Sequence, residues 1–428
     1  MSIFARPDLV LVSLQYLMIQ CSTLFLLFTL FYFLQVGRVT QAVLCCLIFN
    51  PLFLHLGNMI SSDGLFLALS MTWFALLLWI IYKPSNKIIG WHVLLLFAAF
   101  TVRYNALLYP IIALAAFGLS KLSLRKKLAG LGCGLLLIVW FIGLTLFQYK
   151  KFTGFWQFSP FSGWQLANNA IYAYREVDSA DLKPVPLKFH ALDNMVRNFH
   201  TIHPNLQVSE VGSAYMWLAE YPLMQYHESL FKKDTANTQF KKWASMGPLY
   251  SSYGWYIIKK YPVHFLRYFI WPNTGKYLAP PVEYLEYYNS ESPTVSKFAW
   301  QWFGYSNNEV KTRMKNGKVW VLQQYPFLVS VTNLLLLLGL LSYILLKGRQ
   351  YNKTFNKSIL LTGLFWIANA GFTIFASPAA LRFQAFPALL SAIFSLLLID
   401  WMSRLTQHLK HQNQPQHLNR EYSQKVSA

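Results

Sequence analysis

The chain has 428 residues, of which 55% are hydrophobic and only 12% charged, and its mean hydropathy is +0.33. Apolar runs of about 18 residues or more recur along it, which excludes a soluble globule and points to a polytopic membrane protein. Much of the formal net charge of +21 lies in short loops between these runs, where Lys and Arg set membrane orientation; with no nucleic-acid-binding module visible, nucleic acid is excluded as a partner.

Backbone groups in lipid must pair internally, and the runs are far too long for barrel strands, so the expected fold is all-α with about nine transmembrane helices. Span 1 is expected over Leu9–Leu34; it is too long for a signal-peptide core and no small-residue cleavage site follows. Arg38 follows it, and span 2 runs from Ala42 to Ile60 with Pro51 as a kink. Ser61–Gly64 reads as a tight turn into span 3, Leu65–Tyr82, with Lys83 and Lys87 beyond. Ile88–Leu119 has room for two short helices around Arg103-Tyr104-Asn105, and bases flank both ends, so a tilted or re-entrant hairpin is expected. Lys121, Arg125, Lys126 and Lys127 lead into span 6, Leu128–Phe147.

A polar segment follows, Gln148 to Gln324, too long for a loop and therefore a domain, mixed or mainly helical, between spans 6 and 7. Two stretches in it read as helical, Glu210–Phe231 and Tyr253–Trp271. The second mixes aromatics with bases around Pro262, the pattern of a helix lying at a membrane surface. Pro272, Pro280 and Pro281 should impose irregular structure. Span 7 is expected over Phe327–Leu346, followed by the bases Lys347, Arg349, Lys353 and Lys357. Span 8 covers Ile359–Ala376, Ser377–Arg382 is a short turn, and span 9 covers Phe383–Met402. From Ser403 the tail, with His408, His411 and His417, reads as disordered. The division is thus 1–147 membrane, 148–324 polar domain, 325–402 membrane and 403–428 tail. With the basic loops cytoplasmic, the polar segment lies outside a cytoplasmic (inner) membrane, the C-terminus inside and Met1 outside. Cys21, Cys45, Cys46 and Cys133 all fall in apolar runs, as packing residues rather than a disulfide or metal framework.

Of the 16 acidic residues, 12 lie between Glu176 and Glu309. Asp63 is the only acid at the non-basic end of a span, where a carboxylate is costly unless it faces water, a partner or a substrate. It reads either as a cap on the third span or as an acceptor- or cation-binding group. Arg103 and Arg382 sit at the same level and either snorkel to headgroups or jointly grip a phosphate with their forked donors. In the polar domain, Trp164, Asn168 and Asn169 belong to a stretch dense in aromatic and amide groups. That stretch suits sugar recognition or an ordinary core. Tyr104 and Asn105 beside Arg103 are further candidates for acceptor or sugar contact. His227-Glu228 and the His200/His203 pair lack metal-ligand spacing, so no metal site is assigned and a divalent cofactor is unsupported.

Pro51…Ser62-Asp63-Gly64-Leu65, then Thr101-Val-Arg103-Tyr-Asn-Ala-Leu-Leu-Tyr-Pro110, then Ser377-Pro-Ala-Ala-Leu-Arg382-Phe383 resemble membrane glycosyltransferases of the GT-C class. The likeness is greatest to bacterial relatives of dolichyl-phosphate-mannose protein mannosyltransferases and to lipid A aminoarabinose transferases. It covers Leu9–Leu146 and Phe327–Met402; the segment between matches in position only. The resemblance implies transfer of a sugar from a polyprenyl-phosphate donor to a glycan, lipid or protein acceptor on the outer side. It places Asp63 at the family's second acidic position and Arg103 and Arg382 near the lipid phosphate. The family opens with one more helix and a large external loop bearing the principal catalytic acid. This chain begins where that loop would be ending, and Asp8 lies too close to span 1 to replace that acid. A truncated or inactive copy is therefore expected. The alternatives are a surface-polysaccharide polymerase or ligase, and a non-catalytic assembly factor or transporter.

Overall fold

The structure is a computed structural model that describes residues 6–203, 212–310, 312 and 317–413. It is all-helical; among the described residues the only β pairing is two isolated bridges, Tyr287 with Lys318 and Thr294 with Glu309. Among the described residues seven helical segments are long and apolar enough to cross a membrane, so the chain is a multi-pass membrane protein.

The first helix, α1, spans Pro7–Phe33. The expected span 2 is broken in two. Helix α2 covers Arg38–Cys45, a 3₁₀ turn follows, and Pro51 starts a new helix, α3 (Pro51–Asn58), rather than kinking one. Asn50 causes the break to hold: its side chain accepts the Leu52 N–H at 2.9 Å, and Pro51 at the first helical position has no N–H to satisfy. Tyr325 reaches the same point, its hydroxyl bonded to the Asn50 side chain. Helix α4 (Ser62–Tyr82) begins at an N-cap serine, Ser61.

The hairpin expected in Ile88–Leu119 is present as α5 (Asn86–Val102), a 3₁₀ turn over Tyr104–Leu108, and α6 (Tyr109–Leu119). At 1.5 Å per residue, α5 is about 25 Å long and α6 about 17 Å, both short of a bilayer core of about 30 Å. Among the described residues the chain therefore shows seven candidate spans plus the short pair, of the about nine helices expected. Helix α7 is longer than its expected span, Leu124–Thr153, and Gly154 ends it at φ +85°.

The polar domain is built from α8 (Pro160–Tyr174), α9 (His190–Ile202), α10 (Ala214–Trp217), α11 (Pro222–Phe231), α12 (Gln239–Ser245), α13 (Gly247–Lys260), α14 (Pro262–Phe265), α15 (Trp271–Leu278) and α16 (Lys297–Phe303). The helix expected over Glu210–Phe231 is α10 and α11 separated before Pro222; Glu210 lies outside the described residues. The helical path of Tyr253–Trp271 runs further than expected. It breaks at Pro262, passes through a π-helical turn over Leu266–Ile270, and continues through Pro272 to Leu278. Pro272 is tolerated because it falls in the first turn of α15. Val263, Leu266 and Trp271 on this path are exposed, Trp271 at 76%.

Helix α8 is enclosed along its length by the domain core. It crosses α13 so closely that a Cβ on Gly254 would lie 2.8 Å from the Leu166 carbonyl carbon and oxygen. Glycine is needed at that crossing. The last three helices are α17 (Tyr325–Leu345), α18 (Lys353–Ala376) and α19 (Leu381–Asn413). Arg382 is thus in the first turn of α19, not in a loop. Residues 403–413 are helical rather than disordered, while 414–428, including His417, lie outside the described residues.

Two helices form the centre of the membrane part. In α4 and α19, 72% of the apolar window is buried, against 17–33% in the other five spans. Phe74 of α4 meets Phe365, Phe386 and Phe394 edge-on across this centre. The basic loops share one end: Lys357 donates to the Leu119 carbonyl, Tyr82 donates to the Thr354 carbonyl, and Asp400 accepts from Gly37 and Thr40 while pairing with Arg404. The polar domain sits at the other end, where Pro281 accepts the Leu381 N–H.

Candidate functional site

The two central helices begin beside each other at the domain end, and each carries a charge in its first turn. Asp63 is on α4 and Arg382 on α19. Ser61, not Asp63, caps α4: its hydroxyl accepts the Asp63 N–H at 3.3 Å and donates to Asp63 Oδ2 at 2.9 Å. The Asp63 carboxylate is therefore free to reach outward from its helix. Gly64 lets α4 start close against α3, since a Cβ there would lie 3.1 Å from the Leu56 carbonyl oxygen.

Arg103, extended between α5 and the 3₁₀ turn, bonds Asp63 Oδ1, and Arg382 Nη2 lies 3.0 Å from Oδ2. One carboxylate thus bridges two guanidinium groups from segments 40 and 319 residues away. The side chains are 1% (Asp63), 17% (Arg103) and 24% (Arg382) exposed. The cluster carries a net charge of +1. A cation in the first turn of α19 opposes the helix dipole, and an anion in the first turn of α4 is favoured by it, so Asp63 is what makes Arg382 tolerable there.

Aromatic rings complete the cradle. Arg103 lies over Phe383 at 4.9 Å and Phe66 at 5.7 Å, and Arg382 lies over Phe383 at 5.0 Å and Tyr284 at 5.5 Å. A cavity of about 20 Å³ remains, bordered by Asp63, Asn105, Tyr109 and Asn369, room for about one water. Asn369 also accepts from the Tyr277 hydroxyl at 3.1 Å.

The turn that sets Arg382 is held from the polar domain. Asn273, fully buried, donates to the carbonyls of Ile374 and Ser377 at 2.8 and 2.7 Å and accepts the Ala379 N–H at 2.8 Å. Asn169 donates to the carbonyls of Phe375 and Ala376 at 3.3 and 3.1 Å.

The structure brings together Asp63, Arg103, Arg382 and Asn105. It does not bring the polar-domain candidates to them as ligand groups. Trp164 is fully buried, donating to the Trp243 carbonyl at 3.0 Å and stacked on the Trp243 ring. Asn168 donates to the Gly212 carbonyl, and Asn169 accepts from Gln165 and Asn168 while holding α18. These three residues serve the domain core and its joint to α18, so they have no face to offer a sugar. Tyr104 lies at the edge, its ring 4.4 Å from that of Phe158. Ser61, Tyr284, Asn273 and Asn369 are site components that the sequence did not point to. Ser61 alone left a trace, as a hydroxyl two residues before the acid.

No group of three or more His, Cys, Asp or Glu side chains able to hold a metal occurs among the described residues. His200 instead meets the Tyr215 hydroxyl at 3.2 Å. Burial, with a smaller contribution from Arg175, pushes its pKa down to about 4. The sign of the effect follows. Above about pH 6.5 this imidazole is neutral both folded and unfolded; below that the unfolded chain takes up a proton that the folded domain refuses until about pH 4. Stability should therefore decline as pH falls from about 6.5 to about 4, and His200→Gln should flatten that decline in thermal melts. An identical slope in the variant would remove His200 from it.

Comparison of the chain with protein-family models, with curated proteins and with solved structures finds no match.

Proposed function

We propose that this protein transfers a sugar from a polyprenyl-phosphate donor to an acceptor at the outer face of a bacterial cytoplasmic membrane, in the manner of the GT-C enzymes it resembles. The observation that carries this reading is the convergence of Asp63, Arg103 and Arg382 at the heads of the two central helices, beneath the polar domain. A net +1 cluster with two forked donors at a membrane boundary suits a lipid phosphate. The donor phosphate competes with Asp63 for the arginines and so releases the carboxylate. Asp63 then takes the proton of an acceptor hydroxyl as that oxygen bonds to the anomeric carbon. The bond from that carbon to the phosphate oxygen breaks, and its electron pair leaves on the polyprenyl phosphate, held by Arg103 and Arg382. The small cavity requires Tyr284 and Phe383 to move aside as the donor arrives.

The test is transfer of label from the lipid-linked sugar pool in membranes of the source organism, with wild type and variants expressed to equal levels. Asp63→Asn should lower transfer by about 10²-fold or more. Unchanged transfer in correctly inserted Asp63→Asn would remove Asp63 from the mechanism. A second reading, a non-catalytic assembly factor, is favoured by one observation: both oxygens of Asp63 are already engaged by arginine. Retention of the cellular phenotype by combined Arg103→Ala and Arg382→Ala would select that reading.

A further inference from the structure

A second cavity, of about 570 Å³, is bordered by Pro281, Val282 and Glu286, in the segment whose Tyr284 touches Arg382. Its walls come from the end of α8, from α15 and from the residues leading into α17. The chemistry they present is that of Arg175, Glu176, Tyr268, Lys276, Glu286 and Gln323. From this lining we infer that the cavity binds an uncharged, polyhydroxylated group of one or two sugar units. Arg175 pairs with Glu176 at 3.8 Å and Lys276 with Glu283 at 2.8 Å, so no bare cation is left to favour an anion. Donors and acceptors together at a half-exposed surface match a ligand whose hydroxyls are both, and Tyr268 adds a ring face. The volume lies within the range of small-molecule sites, roughly 300–1,000 Å³.

One donor in the wall remains unspent: the Gln323 side-chain NH₂ is buried without a hydrogen-bond partner among the described residues. A buried donor left so is costly, and a bound hydroxyl met by a small side-chain turn satisfies it. The neighbouring segment ties the cavity to the arginine cluster. Pro281 and Val282 line the cavity, Pro281 accepts the Leu381 N–H at 2.9 Å, and the Tyr284 ring lies against Arg382. As an acceptor site the cavity rests on the transferase reading; as a binding site it does not.

Gly275 offers a clean test. It lines the cavity, and a Cβ there would meet nothing within 4 Å, so a larger side chain fills the cavity without disturbing the helix. Saturation-transfer NMR is run on the full chain in lipid nanodiscs, free of glycoside detergents. The probes are the methyl glycosides of glucose, mannose and N-acetylglucosamine, with glucose 6-phosphate as the anionic comparator. Wild type and Gly275→Ala should transfer saturation to at least one glycoside. Gly275→Leu should lose at least fivefold of that signal at an unchanged thermal midpoint. No transfer from wild type to any glycoside, or an undiminished signal in Gly275→Leu, would overturn the assignment. Tighter competition by glucose 6-phosphate than by the glycosides would overturn it too, as an anion site. The experiment needs no lipid donor. Glycoside binding without sugar transfer therefore counts against the transferase reading alone, and transfer without glycoside binding counts against this cavity alone.

Discussion

Asp63→Asn should destabilise the folded protein by about 3–5 kcal/mol, because it leaves two largely buried guanidinium groups without their shared counter-charge. The loss is read from the thermal midpoint of the detergent-solubilised chain, or from its unfolding in denaturant. The carboxylate is the single negative charge of the cluster, so the remedy is specific. Adding Arg382→Gln to Asp63→Asn removes one stranded cation and should recover a large part of the loss, a coupling that a double-mutant cycle measures. A triple replacement by Asp63→Leu, Arg103→Met and Arg382→Leu should come close to wild-type stability while abolishing any anion binding, since well-packed apolar residues often equal a buried ion cluster. If Asp63→Asn melts within about 0.5 kcal/mol of wild type, inside the ordinary scatter of surface changes, the arginines do not depend on Asp63.

Asn273→Leu is the second large effect. It removes three hydrogen bonds at once and strands two carbonyls and one N–H in the turn that precedes Arg382. A loss of about 2–4 kcal/mol is expected from such a buried polar residue. Because Asn169 holds Phe375 and Ala376 in the midst of the same stretch, Asn169→Leu combined with Asn273→Leu should cost less than the sum of the two. Strict additivity would show that the joint between the polar domain and α18 is not one unit. Asn273→Leu should also weaken phosphate-analogue binding without touching the arginines, since it frees Arg382 from its fixed position.

Much of this arrangement was legible in the residues. A lone acid at the non-basic end of a span, and two arginines at the same level, are costly features that the chain must use together, and they meet. The long apolar runs gave the spans to within a few residues for α1, α4 and α17, while α18 begins six residues before its expected start. Hydropathy could not reveal that Asn50 and Pro51 divide the second run. Asn50 does so through a local side-chain bond, and Tyr325, 275 residues away, completes it. Nor could composition separate a sugar-binding amide cluster from a core one. Gln165, Asn168 and Asn169 have the chemistry of either, and only their enclosure by α13 and α18 decides. Asn273 carries no sequence signal at all; its importance is wholly tertiary.

The bridge at Asp63 also has a history within each molecule's synthesis. Chains emerge N-terminus first, so Asp63 and Arg103, 40 residues apart, can meet as a neutral pair while the polar domain is still unmade. Arg382 arrives 279 residues after Arg103, on α19. Until then the first five helices hold a charge-balanced head, cheaper to leave at a membrane boundary than either ion alone. The arrival of Arg382 turns that head from neutral to positive. The anion site proposed above is therefore completed only when α19 takes its place.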